Sequence, residues 1–231
     1  MRAEAEQLMA FANQARAQAG VGRLEWDPAL AAAALDHCRR MVMEGGAISH
    51  HYRGEPELTE RAAAAGARFG VIEENIAIGP SAAGIHDEWM HSPGHRANLL
   101  SPDVDRVGIA VIASQGVLYA AADYSRGVAA LSAPQIEARV AALIRPSGVT
   151  IFPDPRLARI GCAADSGMPH APSGLQPRFI MRWQAADLDR LPQSLVDRLS
   201  SGNYRQASVG SCPARGGQDS FTAYRVAVLL Y

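Results

Sequence analysis

Lysine is absent from the 231 residues, and all 22 basic residues are arginine. That substitution of one cation for another points to the base composition of a genome rather than to a chemical requirement, and no function follows from it. Cysteine is nearly absent too. Three cysteines are too few for a disulfide-scaffolded miniprotein, and none stands in a CxxC or other metal-ligand spacing. Cys162 and Cys212 can pair within the C-terminal part, which leaves Cys38 single. Long apolar runs are missing: none approaches the roughly 18 residues that a membrane-spanning helix requires. The opening from Met1 to Phe11 lacks the basic, apolar, small-residue order of a signal peptide. The expectation is therefore either a cytosolic protein or one whose signal was removed ahead of this numbering.

What is present is an ordinary globular mixture, 48% hydrophobic and 19% charged. A chain of this length builds one large or two small domains. The net charge of −1 conceals an uneven distribution. Through Ala130, 11 arginines face 16 acids, and beyond it 11 arginines face 7, so that −5 is followed by +4. An excess of that size does not make a nucleic-acid binder.

Leu8, Phe11, Ala12 and Ala15 recur at helical spacing, predicting a first helix that stops near Gly20. Trp26-Asp27-Pro28 starts a second, with Asp27 as cap and Pro28 at the first helical position, and Gly45-Gly46 ends it. A short helix over Leu58 to Ala65, a strand over Val71 to Ile78, a helix over Ser81 to His91 and strand patterns over Arg106 to Ala113 and Val117 to Tyr124 follow. Helices flanking a small antiparallel sheet give an α/β/α layered domain. After Gly127 the pattern restarts. A helix is expected over Pro134 to Ile144 and another over Asp187 to Ser200, with strands near Val149, Phe179, Tyr204 and Phe221 and a long irregular loop between Pro153 and Pro177. The expected organisation is a domain over residues 1–128 and a second small α+β domain over 129–231. Asp154-Pro155-Arg156-Leu157 faintly echoes Asp27-Pro28-Ala29-Leu30.

Several motifs follow in order: Asn13-x-x-Arg16, Leu24-x-Trp26-Asp27-Pro28, Ser49-His50, Glu74-Asn75-Ile76-Ala77, the stretch from Trp89 through Ser92-Pro93-Gly94-His95-Arg96 to Asn98-Leu99-Leu100, then Gly108-Ile109-Ala110-Val111. Their order and content resemble the bacterial branch of the CAP superfamily (cysteine-rich secretory, antigen and pathogenesis-related proteins, or SCP-like domains), over a little more than half the chain. The resemblance implies the CAP-type α/β/α sandwich and a cleft of two histidines and two acids that binds a divalent metal, commonly zinc.

Carried over, His50 matches the first histidine, Glu74 the glutamate of the Glu-Asn pair and His95 the second histidine. Ser92 occupies the position of the second acid, so the tetrad is incomplete. Two imidazoles are fewer ligands than a structural or catalytic zinc site uses, and they predict a weak, exchangeable site completed by water. Glu74 can be a third ligand, an acceptor that orients an imidazole, or a base acting on bound water. Such families are secreted, which implies a secreted or periplasmic location. Three readings follow. One is a binding module for a divalent metal or a small ligand such as a lipid or cell-envelope component. Another is a zinc-assisted hydrolase or peptidase with Glu74 as base. The last is a protein-interaction module with a vestigial cleft.

Overall fold

The computed structural model describes residues 2–172, 174–214 and 221–231. The chain divides at Gly127–Val128 into two compact units.

In the first unit, helix α1 (Arg2–Gln18) precedes a two-residue strand β1 (Glu25–Trp26) and helix α2 (Pro28–Glu44). Asp27 caps α2: its side chain accepts from the backbone amides of Ala29 and Leu30, 2.8 and 3.2 Å away. Short helix α3 (Leu58–Ala64) leads into strand β2 (Phe69–Gly79), then helices α4 (Ala82–His91) and α5 (Pro93–Leu100) and the hairpin β3 (Arg106–Ser114) and β4 (Val117–Gly127). Pro93 does more than end α4. It sits in the first turn of α5, where a missing amide proton costs nothing.

The sheet order is β1-β3-β4-β2. β3, β4 and β2 are antiparallel neighbours, and β1 adds a short parallel edge to β3. One apolar layer joins α1 and α4 to the sheet through Leu8, Ala12, Ile85, Trp89 and Val107. On the other face, Ala34, Cys38 and Met41 of α2 pack against Ile76, Ala110 and Ala121. Gly108 lets α2 cross the sheet closely, because a Cβ there would stand 2.0 Å from the Ala31 nitrogen.

The second unit holds helix α6 (Ala133–Ile144), strand β5 (Thr150–Ile151), helix α7 (Arg156–Ala163), strand β6 (Phe179–Ala185), helix α8 (Gln193–Ser200) and strands β7 (Gln206–Cys212) and β8 (Tyr224–Leu230). Its sheet runs β5-β7-β8-β6, with β5 parallel to β7 and the rest antiparallel. The α+β class holds for both units.

In the second unit two helices differ from the expected elements. The Pro153 to Pro177 stretch contains α7, whose N-cap is Pro155, the second residue of the Asp-Pro pair, where α2 is capped by Asp27, the first. Helix α8 begins only after Pro192, since proline lacks the amide proton to continue a helix from Asp187. Cys162 of α7 and Cys212 of β7 form a disulfide, and Cys38 is a buried free thiol. Burial pushes the Cys38 thiol up to about 12, so it stays protonated beside the carbonyl oxygens of Ala110 and Tyr119.

Candidate ligand cleft

Alternate residues of β2 point to opposite faces, and its two adjacent glutamates divide accordingly. Glu73 lies on the α1 side, where burial and then Asp103 raise its pKa while Ser101 and Arg16 act against them. Glu74 lies on the α2 side and is buried.

One Glu74 oxygen is 2.8 Å from His50 Nδ1, and the other accepts from Arg61 Nη2 at 2.5 Å. The His50 side chain, carried on the loop between α2 and α3, is 56% exposed against 3% for Glu74. The carboxylate thus holds the ring through Nδ1 from its buried side.

Arg61 comes from α3 and is buried as well. It also donates to the carbonyl oxygens of Pro56 and His50, and lies 3.8 Å from Glu55. Glu55 in turn pairs with the fully buried His37 at 2.7 Å and accepts from the Tyr52 amide. A chain of alternating partners, His37, Glu55, Arg61, Glu74 and His50, therefore underlies the loop. Burial alone would raise the Glu74 carboxyl, but the His50 hydrogen bond, then Arg61 and His37, outweigh it and hold Glu74 below the usual carboxylate range.

Directly across from Glu74 in the β2–β4 register is Asp123, fully buried. Burial, followed by the negative charge of Glu74, lifts the Asp123 carboxyl well above its ordinary range, with Arg61 opposing. Like charges directly opposite each other in a sheet repel. The opposite shifts of the pair, Glu74 toward the ionised and Asp123 toward the protonated form, relieve this repulsion.

His95 lies in the first turn of α5. Two asparagines tie that turn to β2: Asn75 donates to the His95 carbonyl oxygen at 2.9 Å, and Asn98 donates to the carbonyl oxygen of Glu74 and to Asn75 Oδ1 at 3.1 and 3.0 Å. Trp89 Nε1 donates to the Ile76 carbonyl oxygen and seats α4 on the same strand. Burial, then His50, lowers the His95 pKa, with Glu88 acting in the other direction. Both causes favour the neutral form of the His95 ring.

Ser92 forms the junction between α4 and α5, its side chain in no capping hydrogen bond. His91 bonds to the Asp87 carbonyl oxygen of its own helix, and His86 packs on the Phe11 ring of α1. Neither belongs to the cleft.

Among the described residues no group of three or more His, Cys, Asp or Glu side chains is arranged to hold a metal ion. Both Glu74 oxygens are engaged, so the donors free to face a cation are the two imidazoles. Glu74 stands behind His50 as an orienting carboxylate does behind a ligating imidazole.

The profile of the cysteine-rich secretory protein family (CAP) matches residues 9–124, half of the chain. The chain belongs to that family.

Its first unit is thus a CAP domain, and a solved structure agrees on the fold. An extracellular protein containing an SCP domain from Bacillus anthracis is 24% identical, with a TM-score of 0.50 over 54% of this chain and 41% of that one. An outer surface protein from Borrelia burgdorferi is 19% identical with a TM-score of 0.49, over 54% of this chain and 92% of that one. A curated relative, the uncharacterized membrane protein YlbC of Bacillus subtilis, is 32% identical over 110 residues, 46% of this chain and 31% of that protein. The chain spans about a third of the length of YlbC and two fifths of the Bacillus anthracis chain.

Arg61, Asp123, Glu55 and His37 escaped the sequence motifs. Two signals for them existed. Arg61 is a charge on the apolar stripe of the alanine-rich α3, and Asp123 is a lone acid in the apolar run Ala120 to Tyr124.

Proposed function

We propose that the CAP domain is a binding module acting outside the cytoplasm, whose cleft takes a small ligand between His50 and His95 and holds a divalent cation such as zinc weakly. The observation that carries this is the 2.8 Å contact from His50 Nδ1 to buried Glu74, which fixes an otherwise exposed ring with Nε2 outward. A neutral His95 beside it offers a second lone pair. The ligand expected is a cell-envelope component or lipid headgroup able to complete the coordination or hydrogen-bond to both rings.

Two observations support that location. The Cys162–Cys212 bond is of a kind that persists in oxidising compartments. The Bacillus anthracis protein of like fold is described as extracellular. The hydrolase reading has less support, because a base needs access and Glu74 is buried with both oxygens engaged.

The test is zinc titration by calorimetry at neutral pH, comparing wild type, a His50→Ala/His95→Ala double variant and Glu74→Gln. Saturable binding that is lost in the double variant and weakened about 10- to 100-fold in Glu74→Gln is expected, the range typical of an orienting carboxylate. Absence of zinc binding by the wild type would remove the metal from the reading, and binding that survives in the double variant would place it elsewhere.

A further inference from the structure

The two units run through the same elements in the same order. In each, a helix leads to a two-residue strand (α1 and β1, α6 and β5), then to a second helix (α2, α7), a longer strand (β2, β6), helical segments (α4 and α5, α8) and a closing antiparallel pair (β3 and β4, β7 and β8). The spatial orders β1-β3-β4-β2 and β5-β7-β8-β6 are the same permutation, and the short first strand is parallel to its neighbour in both.

The match extends to single residues. In the first sheet Gly108, Asp123 and Glu74 form one cross-strand row, and in the second Gly210, Ala227 and Arg182 form another. At both glycines a helix backbone passes too close for a side chain. A Cβ on Gly108 would stand 2.0 Å from Ala31 N and 2.2 Å from the Leu30 carbonyl carbon, and on Gly210 it would stand 2.2 Å from Arg159 N and 2.3 Å from the Ala158 carbonyl carbon. Leu30 and Ala31 follow the cap residue Asp27 by the same steps as Ala158 and Arg159 follow Pro155.

We infer that the second unit is a shortened copy of the CAP fold in which an arginine clamp replaces the cleft. Arg182 stands where the first copy has Glu74, and Ala227 where it has Asp123. Arg182 reaches no imidazole. Its Nε and Nη2 donate to the carbonyl oxygens of Gly161 and Gly167 at 2.5 and 2.6 Å, tying the last turn of α7 and the loop after it onto the sheet. Helix α7 has 8 residues against 17 in α2, so it ends before the point from which a His50-like loop departs.

Among the described residues no helix of the copy corresponds to α3. In the first unit Ala62 of α3 covers Ala29, Leu30, Phe69 and Ile72. The matching cluster of Leu157, Ala158, Ile180, Leu229 and Tyr231 is instead bordered by an open groove of about 520 Å³. The scaffold is retained, the cleft is not, and the chain carries one cleft among its described residues. That last count rests on the proposed reading of His50 and His95, whereas the duplication does not.

The test uses the full, isotopically labelled chain. Cross-strand nuclear Overhauser contacts should link Gly210 to Ala227 and Ala227 to Arg182, and should place Thr150 parallel to Gln206. Gly210→Ala should lower by several degrees the melting transition that is sensitive to a disulfide reductant. An antiparallel β5, direct pairing of β7 with β6, or a Gly210→Ala chain that melts like wild type would overturn the duplication. If Gly210→Ala fails to fold, the wild-type contacts alone decide. Zinc titration leaves this result untouched, so failure of the cleft and failure of the copy are separable.

Discussion

Arg61 stands between two carboxylates, and the charge state of the cleft depends on it. Removing its guanidinium leaves Glu74 and Glu55 buried without their cation. Breaking such a pair from one side costs about 3–5 kcal/mol, so Arg61→Ala should lower the stability of the first unit by that order in urea titration, and an unchanged midpoint would show the array to be idle. Asp123 makes the opposite kind of prediction. Its folded-state pKa is raised, so the folded chain binds a proton more tightly than the unfolded one. The stability this contributes is complete below the unfolded value of about 3.9 and is lost as pH rises toward the folded value. Asn at this position is neutral at every pH. The melting temperature of Asp123→Asn minus that of wild type should therefore climb as pH rises from about 4 to about 7, and a flat difference would mean that Asp123 is ionised in the fold. The motif residues His50, Glu74 and His95 were legible because their neighbours in sequence mark them. Arg61 and Asp123 were not, because the partner that gives a buried charge its meaning lies on another element, 13 residues away for Arg61 and across the sheet for Asp123.

Helix boundaries were readable wherever a cap or a stop residue carried the signal. Asp27-Pro28 set the start of α2, and Asp27→Ala should cost about 1 kcal/mol, measurable as a shift in the denaturant midpoint with no change in slope. The same dipeptide at Asp154-Pro155 precedes α7, but there Pro155 is the N-cap and no side chain caps the helix, so the surrounding prolines, glycines and serines made the segment read as loop. Strand β1 was missed for a related reason: two residues are too few to show a period, and its pairing with β3 is a long-range fact. Helix α5 illustrates how elements serve the site. It supplies His95, and Asn98 bonds it to the Glu74 backbone and so fixes where His95 stands relative to β2. Asn98→Ala should leave a buried carbonyl unsatisfied and destabilise by about 1–3 kcal/mol. Its zinc affinity should fall as well, a loss that a purely scaffolding asparagine would not produce.

At the scale of the whole molecule the chain joins a unit without a disulfide to one that has it, and the two should answer differently to a reductant. Cys162 and Cys212 are 50 residues apart in sequence, and both belong to the second unit. Closing a loop of that length removes chain entropy from the unfolded state worth about 4 kcal/mol on the usual loop-entropy relation. Cys38, by contrast, is unpaired and buried in the core between α2 and the sheet, where a reductant has nothing to change. Calorimetry with and without reductant should therefore move one transition down and leave the other in place. Cys162→Ala/Cys212→Ala should reproduce the shift without reductant, and Cys38→Ala should instead affect the unmoved transition through lost packing. If both transitions fall together on reduction, the two units unfold as one cooperative block, and the division at Gly127–Val128 describes packing density rather than independent stability. If only the second falls, zinc binding at His50 and His95 should survive reduction unchanged, since every residue of the cleft lies in the unit whose stability the disulfide does not touch.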